Sequence, residues 1–343
     1  MNLIKNIFLL TTVTLTFTIS NIKGSSNDPI QGVENFLGMW TINIEWGGVA
    51  WLNVYESNGY LDAELMWGGG SVLPVSHVYL LDENHLVVTK TQNVSKYNRE
   101  GKERKHIITH TMDIIKKGNE IHGELIIPNE SGIGVQRISF TGVLLPKMPM
   151  APNLAKIKYG KPISLLNGEN LDGWKIIGDN LANGFKMKKG ILVNDPVQEE
   201  GNHVNYGNLR TIRTFEDFNL TLEVNVPEGN NSGVYLRGLY EIQVLDSYGK
   251  PLDSHHMGAL YSRITPTIAA EKPPGQWQKL DITLCDRHIT VILNDKKIID
   301  NQPAYGPTGG AISTDVFAPG PIFLQGDHGN VSYRNIVLKP IIH

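Results

Sequence analysis

Apolar and polar residues alternate along most of this chain, and that alternation constrains the fold more than any other feature. Leu220, Leu222, Val224 and Val226 fall on one parity, with Thr221, Glu223 and Asn225 on the other. A period of two is the signature of a half-buried strand. The pattern returns at Val234/Leu236, Ile242/Val244, Leu280/Ile282/Leu284, Ile289/Val291/Leu293 and Ile322/Leu324. Turn-forming runs stand between these segments: Glu228-Gly-Asn-Asn231, Pro273-Pro-Gly275, Asn294-Asp295 and Gly306-Pro307. Helical periodicity is weak throughout. Many short strands with this spacing predict an all-β chain arranged as antiparallel sandwiches or barrels.

Three prolines between Pro146 and Pro152 interrupt the pattern, because each removes a backbone donor that a central strand needs. The run 146–158 therefore reads as a linker. It separates a β-domain at 30–145 from a larger one at 159–343. In the first, Trp40-Thr-Ile-Asn-Ile-Glu45, Val49-Ala-Trp-Leu-Asn-Val-Tyr55, Tyr60 to Met66, Leu86 to Thr89, Ile107 to Ile115 and Ile121 to Ile127 look like successive strands of a meander. A small up-and-down barrel is the expected form. Trp40, Trp46, Trp51 and Trp67 crowd into this part, and core packing accounts for them better than a sugar-stacking platform does. His106, His110 and His122 read as scattered surface histidines.

Residues 1–24 have the form of a cleavable export signal: Lys5, an uncharged apolar run from Ile7 to Ile19, then small and polar residues. The run is too short to span a membrane, and no cysteine near Gly24 offers a lipid anchor. The expected location is periplasmic or secreted. With 31 basic and 34 acidic residues the chain carries −3, and removing Lys5 and Lys23 leaves 29 − 34 = −5. That balance provides no basic footprint for nucleic acid. The single cysteine, Cys285, excludes a disulfide framework and a cysteine-rich zinc site.

The most informative stretch runs from Asn231 to Asp246. If Val234, Leu236, Ile242 and Val244 point into a core, alternation sends Tyr235, Arg237, Glu241 and Gln243 to the other face. A phenol, a cation, a carboxylate and an amide together suit a polyhydroxylated ligand. A solvated outer face carrying an Arg237–Glu241 ion pair would give the same pattern.

Seven ordered segments carry a family resemblance: Leu166-Asn-Gly-Glu-Asn-Leu-Asp-Gly-Trp174, Asn231-Ser-Gly-Val-Tyr-Leu-Arg237, Tyr240-Glu-Ile-Gln-Val-Leu-Asp246, Gly258-Ala-Leu-Tyr261, Lys272-Pro-Pro-Gly-Gln-Trp277, Val291-Ile-Leu-Asn294, and Phe323-Leu-Gln325 through Val331-Ser-Tyr-Arg-Asn-Ile336. Over roughly 160–340 the chain resembles the 3-keto-disaccharide hydrolase family, once a domain of unknown function. The resemblance implies a concanavalin A-like jelly roll with its site on the concave face, in an exported bacterial protein of carbohydrate metabolism. It departs from the family at Gln278, where Asn usually follows the tryptophan, and at Asp295, where Gly is common.

The implied reaction is cleavage of a 3-keto glycoside. The C3 ketone acidifies the C2 proton, a base removes it, the C1 substituent leaves, and water adds to the product. Ordinary glycosidases instead flank an oxocarbenium ion with two carboxylates. On this resemblance Glu241 is the first choice as base, with Arg237, Gln243, Asp246 and His256 completing the catalytic set. Tyr235, Tyr261, Gln325 and His328 would contact the substrate. One divalent metal is a candidate cofactor, with Glu241, His255 and His256 as its ligands, although their spacing matches no zinc signature. No nucleotide fingerprint is present. Gly68-Gly-Gly-Ser71 lacks the lysine of a phosphate loop, and Asp327-His328-Gly329 has no nucleophile elbow beside it.

Two other functions fit the same sequence. A lectin-like binding protein could use the same fold without turnover. An endo-glucanase would need a second acid facing Glu241, and alternation turns Asp246 away from it.

Overall fold

In the computed structural model, residues 32–198 and 204–342 are described. The export signal read at 1–24 lies outside the described residues. Two architectures follow one another along the chain, and each buries the parity that its sequence marks as apolar.

The first comprises β1 (Gly38–Ile44), β2 (Val49–Ser57), β3 (Tyr60–Trp67), β4 (Leu73–Pro74), β5 (His77–Asp82), β6 (His85–Tyr97), β7 (Glu103–Lys117), β8 (Glu120–Pro128) and β9 (Val135–Leu144). All pairings are antiparallel, in the order β4-β3-β2-β1-β9-β8-β7-β6-β5. The two ends of that order are one continuous piece of chain. The Val75 N–H donates to the Ala63 carbonyl of β3, and the Ser76 N–H to the Thr89 carbonyl of β6. The meander thus closes into a barrel, with β4 and β5 forming one bent staff. Its interior is packed with Phe36, Trp40, Ile42, Leu52, Leu86 and Ile114, none more than 1% exposed.

The four clustered tryptophans meet different fates. Trp40 lies in the barrel core and Trp51 is buried on the outer wall, whereas Trp46 is 60% exposed. Trp67 is half-buried at the barrel mouth.

The second architecture is a jelly-roll sandwich. Its larger sheet runs Phe185–Lys188, Ile191–Asn194, Val331–Ile342, Phe218–Asn225, Trp277–Cys285, His288–Leu293 and Lys296–Pro303, with Lys158–Tyr159 and Ile163–Ser164 added along Val331–Ile342. Its smaller sheet runs Trp174–Ile177, Asn208–Thr211, Phe323–Leu324, Asn231–Leu236 and Tyr240–Leu245. Leu220, Leu222, Leu280 and Ile282 of one sheet share a hydrophobic core with Val234, Leu236, Ile242 and Val244 of the other. Asp295 adopts a left-handed turn (φ 65) after Asn294 (φ 50), so Asp replaces the usual glycine without disturbing the turn.

Val49, Trp51 and Met66, on the outer wall of β2 and β3, join the sandwich core. Arg263 of the sandwich lies over the Trp51 ring at 4.2 Å, with its guanidinium bonded to the Pro307 carbonyl. The barrel is therefore packed onto the sandwich by both apolar burial and a cation–π contact.

Candidate active site

The small sheet buries both of its faces. Alternation turns Val234, Leu236, Ile242 and Val244 into the sandwich core, yet Tyr235, Glu241 and Gln243 on the opposite face are only 2%, 3% and 4% exposed. Loops rather than solvent cover that face. The segment Gly258–Tyr261 bonds to the free edge of Tyr240–Leu245, through Gln243 N–H to Ala259 O and Tyr261 N–H to Glu241 O. Thr308 arrives from another loop and accepts the Glu241 N–H while donating to the Leu239 carbonyl. A solvated outer face is thus excluded.

Beneath these loops lies a cavity of about 340 Å³. Glu241, Gln243 and Tyr235 form its floor, and Tyr261, Gln325 and His328 its sides. Two glycines create the room. A β-carbon on Gly233 would lie 2.2 Å from Glu241 Oε1, and one on Gly310 would lie 2.6 Å from the Tyr235 hydroxyl. The Tyr235 ring is held in place by stacking on Phe323, with centroids 3.7 Å apart.

The Tyr235 hydroxyl lies 2.8 Å from Glu241 Oε2 and 2.8 Å from the Gly309 carbonyl. One phenolic proton cannot serve two acceptors, so the geometry is satisfied when Glu241 carries a proton of its own. Electrostatics agrees: burial pushes the Glu241 carboxyl up to about 8, against smaller opposing effects of the Tyr235 bond and the charge of His328. Burial, reinforced by Glu241, also raises the Tyr235 phenol well above its ordinary value.

His328 and Asp327 form a second titrating unit. Their side chains are hydrogen-bonded, through Nδ1 and Oδ1. That bond is the largest cause of a raised His328 pKa, with the charges of Asp327 and Glu241 adding to it and burial opposing it. Burial works against the Asp327 carboxylate, but His328 holds it below its ordinary range. Asn194 fixes the loop that presents this pair by donating to the Gly326 and Gly329 carbonyls.

Three buried amide oxygens, Gln243 Oε1, Gln325 Oε1 and Asn231 Oδ1, have no protein partner. All three residues line the cavity. Buried polar atoms are seldom left unsatisfied, so this group is fitted to a ligand rich in hydroxyls.

The structure separates the remaining expected residues from this set. Arg237 adopts φ 56, in a left-handed turn with Gly238 that ends the alternation one residue early. Its guanidinium bonds to the Val316 and Ala318 carbonyls instead of facing Glu241. Asp246 accepts the Gly229 N–H at the far end of its hairpin. His256 is bonded through Nδ1 to the Pro251 carbonyl. Neither Asp246 nor His256 lines the cavity, so neither supplies the second acid an endo-glucanase would need.

Nor do the donors proposed for a metal converge. Among the described residues no three His, Cys, Asp or Glu side chains group as ligands. His255 is engaged by Asp253 on Nδ1 and by Ser71 on Nε2. The residues present therefore do not fit a metal held jointly by Glu241, His255 and His256.

Sequence reading missed the contribution of the barrel. Gly69, in the loop between β3 and β4, lines the cavity. The backbone passes so close to Gly309 that a β-carbon there would meet the Gly70 carbonyl at 2.4 Å. Ser71 Oγ lies 2.9 Å from His255 Nε2 and 3.4 Å from the Tyr261 hydroxyl, and Ser262 Oγ accepts the Val72 N–H. Ser71, His255 and Asp253 stand in the order of a serine-hydrolase triad, which sequence spacing gave no hint of. The bonds of Ser71 to His255 and of the Val72 amide to Ser262 also tie the barrel to the sandwich. The signal for this contact was the glycine run itself, since glycine marks places where backbones approach closely.

The family described as 3-keto-alpha-glucoside-1,2-lyase-like domain matches residues 161–339. No curated protein matches the chain. Among solved structures, a candidate glycosyl hydrolase from Parabacteroides distasonis ATCC 8503 is 26% identical, with 57% of this chain and 94% of that chain covered at a TM-score of 0.43. A second candidate glycosyl hydrolase from the same organism is 24% identical, with 53% and 100% covered at 0.40. Domain 4 of AbnA, an extracellular arabinanase from Geobacillus stearothermophilus solved with arabinotriose, is 13% identical, with 55% and 95% covered at 0.35.

Proposed function

The chain belongs to the 3-keto-alpha-glucoside-1,2-lyase-like family and is a carbohydrate-active protein, and on that premise we propose that it cleaves 3-keto glycosides by elimination across C1 and C2, followed by hydration. The observation that carries this reading is Glu241: a buried carboxyl with a pKa near 8, facing a cavity whose amide oxygens have no protein partner.

In this reaction the Glu241 carboxylate takes the C2 proton. The released electron pair forms a C2–C3 enolate, while the Gln243 and Gln325 amide oxygens accept from the sugar hydroxyls and hold the ring over Glu241. The C3 carbonyl then re-forms as the C1–C2 double bond forms and the C1–O bond breaks. The departing oxygen takes a proton from the His328 imidazolium, which Asp327 orients and holds charged. The now neutral His328 takes a proton from water as the water oxygen bonds to C1, and Glu241 returns its proton to C2, so both groups recover their starting charge and the net result is hydrolysis. A carboxyl tuned upward by burial is a stronger base than an exposed one, and it matches the weak acidity of a carbon next to a ketone. The leader-like residues 1–24 support export as part of the same proposal.

Incubation with a 3-keto-α-glucoside and with its unoxidised parent tests the reading. Release of the aglycone from the keto sugar alone is expected, with a slowed rate when C2 carries deuterium. Equal release from both sugars, or none from the keto sugar, would sink it. Tight binding without release would instead identify a lectin.

A further inference from the structure

The barrel is filled at one end and open at the other. Leu86, Val88 and Lys90 on β6 face inward opposite Ile114, Met112 and His110 on β7, and Thr91, bonded to Ser76, and Gln92 complete the β6 side of the rim. At the end closed by Phe36 and Trp40 this interior is packed solid. At the other end lies a cavity of about 390 Å³, walled by Leu65, Trp67, Val88, Met112, Leu125 and Ile127. It shares no residue with the sugar cavity. Protein interiors seldom leave voids larger than a water molecule. An eight-staved barrel, however, has room either for packed side chains or for one small ligand. A volume in the range of about 300–1,000 Å³ is usual for small-molecule sites.

The polar lining narrows the class of ligand. Lys90 and His110 are direct partners across β6 and β7. Lys90, Gln92 and His110 all line the cavity, and no carboxylate lines it. None of the three has a hydrogen-bonded or ion-paired side-chain partner among the described residues. An inward lysine beside an apolar wall is costly unless an anion or water meets it. Burial, with the charge of Lys90 adding to it, holds His110 below its ordinary pKa. His110 is therefore a neutral hydrogen-bonding group and Lys90 the lone cation. Trp67, braced edge-on against Phe140 at 5.8 Å, offers a flat apolar wall within reach.

We propose that the barrel binds an apolar monoanion: a carboxylate whose aliphatic or aromatic body lies against Trp67, Met112 and Leu125 while its head sits between Lys90, Gln92 and His110. The site is separate from the sugar chemistry and does not depend on it.

Titrating the full-length protein with decanoate and with decanol, followed by calorimetry and by tryptophan fluorescence, tests this proposal. Decanoate should bind at a single saturable site, and Trp67→Phe should remove most of the fluorescence change. Decanol, with the same body and no charge, should bind at least about ten-fold more weakly, a difference of about 1.4 kcal/mol. Lys90→Glu, at the barrel mouth where the fold does not need it, should weaken decanoate by about ten-fold or more and leave decanol unaffected. Val88→Trp should fill the cavity and abolish binding of both, with an unchanged β-sheet circular dichroism spectrum showing that the barrel still folds. Absence of saturable binding, binding that survives Val88→Trp, or equal affinity for acid and alcohol would each overturn the proposal.

Discussion

The carboxyl group of Glu241 occupies the space that a β-carbon on Gly233 would fill, with Oε1 only 2.2 Å from that position. Gly233 lies on the neighbouring strand, paired with Gln243, and its missing side chain is what lets an acid lie flat over the sheet. Gly233→Ala should therefore displace the carboxyl while leaving the strand intact. The expected result is a loss of about a hundred-fold or more in kcat, since small misplacements of a reacting group have effects of that size. Unfolding curves should change little. Steady-state kinetics on a 3-keto glycoside beside thermal melts would check both halves, and near-normal turnover would show that Glu241 is not the reacting group.

Tyr235 should set the pH at which Glu241 becomes a base. Burial raises the carboxyl to about 8, and the Tyr235 hydrogen bond pulls the other way by favouring the ionised form. Removing the hydroxyl in Tyr235→Phe should therefore move the rising limb of the pH–rate profile upward. A shift of about one unit would cost about ten-fold in rate on the acid side of the limb and little on its alkaline plateau. A profile that falls equally at all pH values would indicate a role in packing alone.

Stability should carry the same signature in reverse. The native Glu241 carboxyl titrates near 8 and the unfolded one near 4.5, so the native state holds an extra proton between those values. Stability contributed by the neutral carboxyl is fully present below about 4.5 and is lost as pH rises toward about 8. Glu241→Gln cannot ionise. It should match the wild type in acid and exceed it by a few kcal/mol, to order of magnitude, above pH 8. Denaturant melts across that range would measure the gap, and a gap that does not vary with pH would contradict the raised pKa.

The wall that the barrel supplies can be tested by thickening it. A β-carbon on Gly69 meets nothing within 4 Å, and the residue faces the sugar cavity. Gly69→Ala should be silent. Gly69→Phe should raise KM for bulky glycosides by about ten-fold or more, while the smallest substrates keep most of their kcat. Uniform loss across substrates of different size would argue against a steric wall.

Strands and the family were legible because both are local. Alternation over five or six residues names a strand, and short ordered motifs name the family. Tyr235, Glu241 and Gln243 were identified because a regular strand fixes which way each points. Arg237 was misplaced because a left-handed residue in the hairpin turn rotates its side chain out of register, and no periodicity reports that. Ser71 and His255 are 184 positions apart. Their contact depends on how two domains dock, and nothing near either residue announces it. His110 read as a surface histidine for a similar reason: strand parity says that it faces one side, but only closure of the sheet turns that side into an interior.

Closure has one more consequence, for how the sugar cavity opens and shuts. The loop carrying Gly69 and Ser71 is gripped at both ends, by Trp67 at the end of β3 and by Leu73 at the start of the staff that seals the barrel. Neither end is a hinge. This side of the pocket is therefore the rim of a closed drum, and the space above Glu241 is bounded there by a strand-to-strand turn of the barrel.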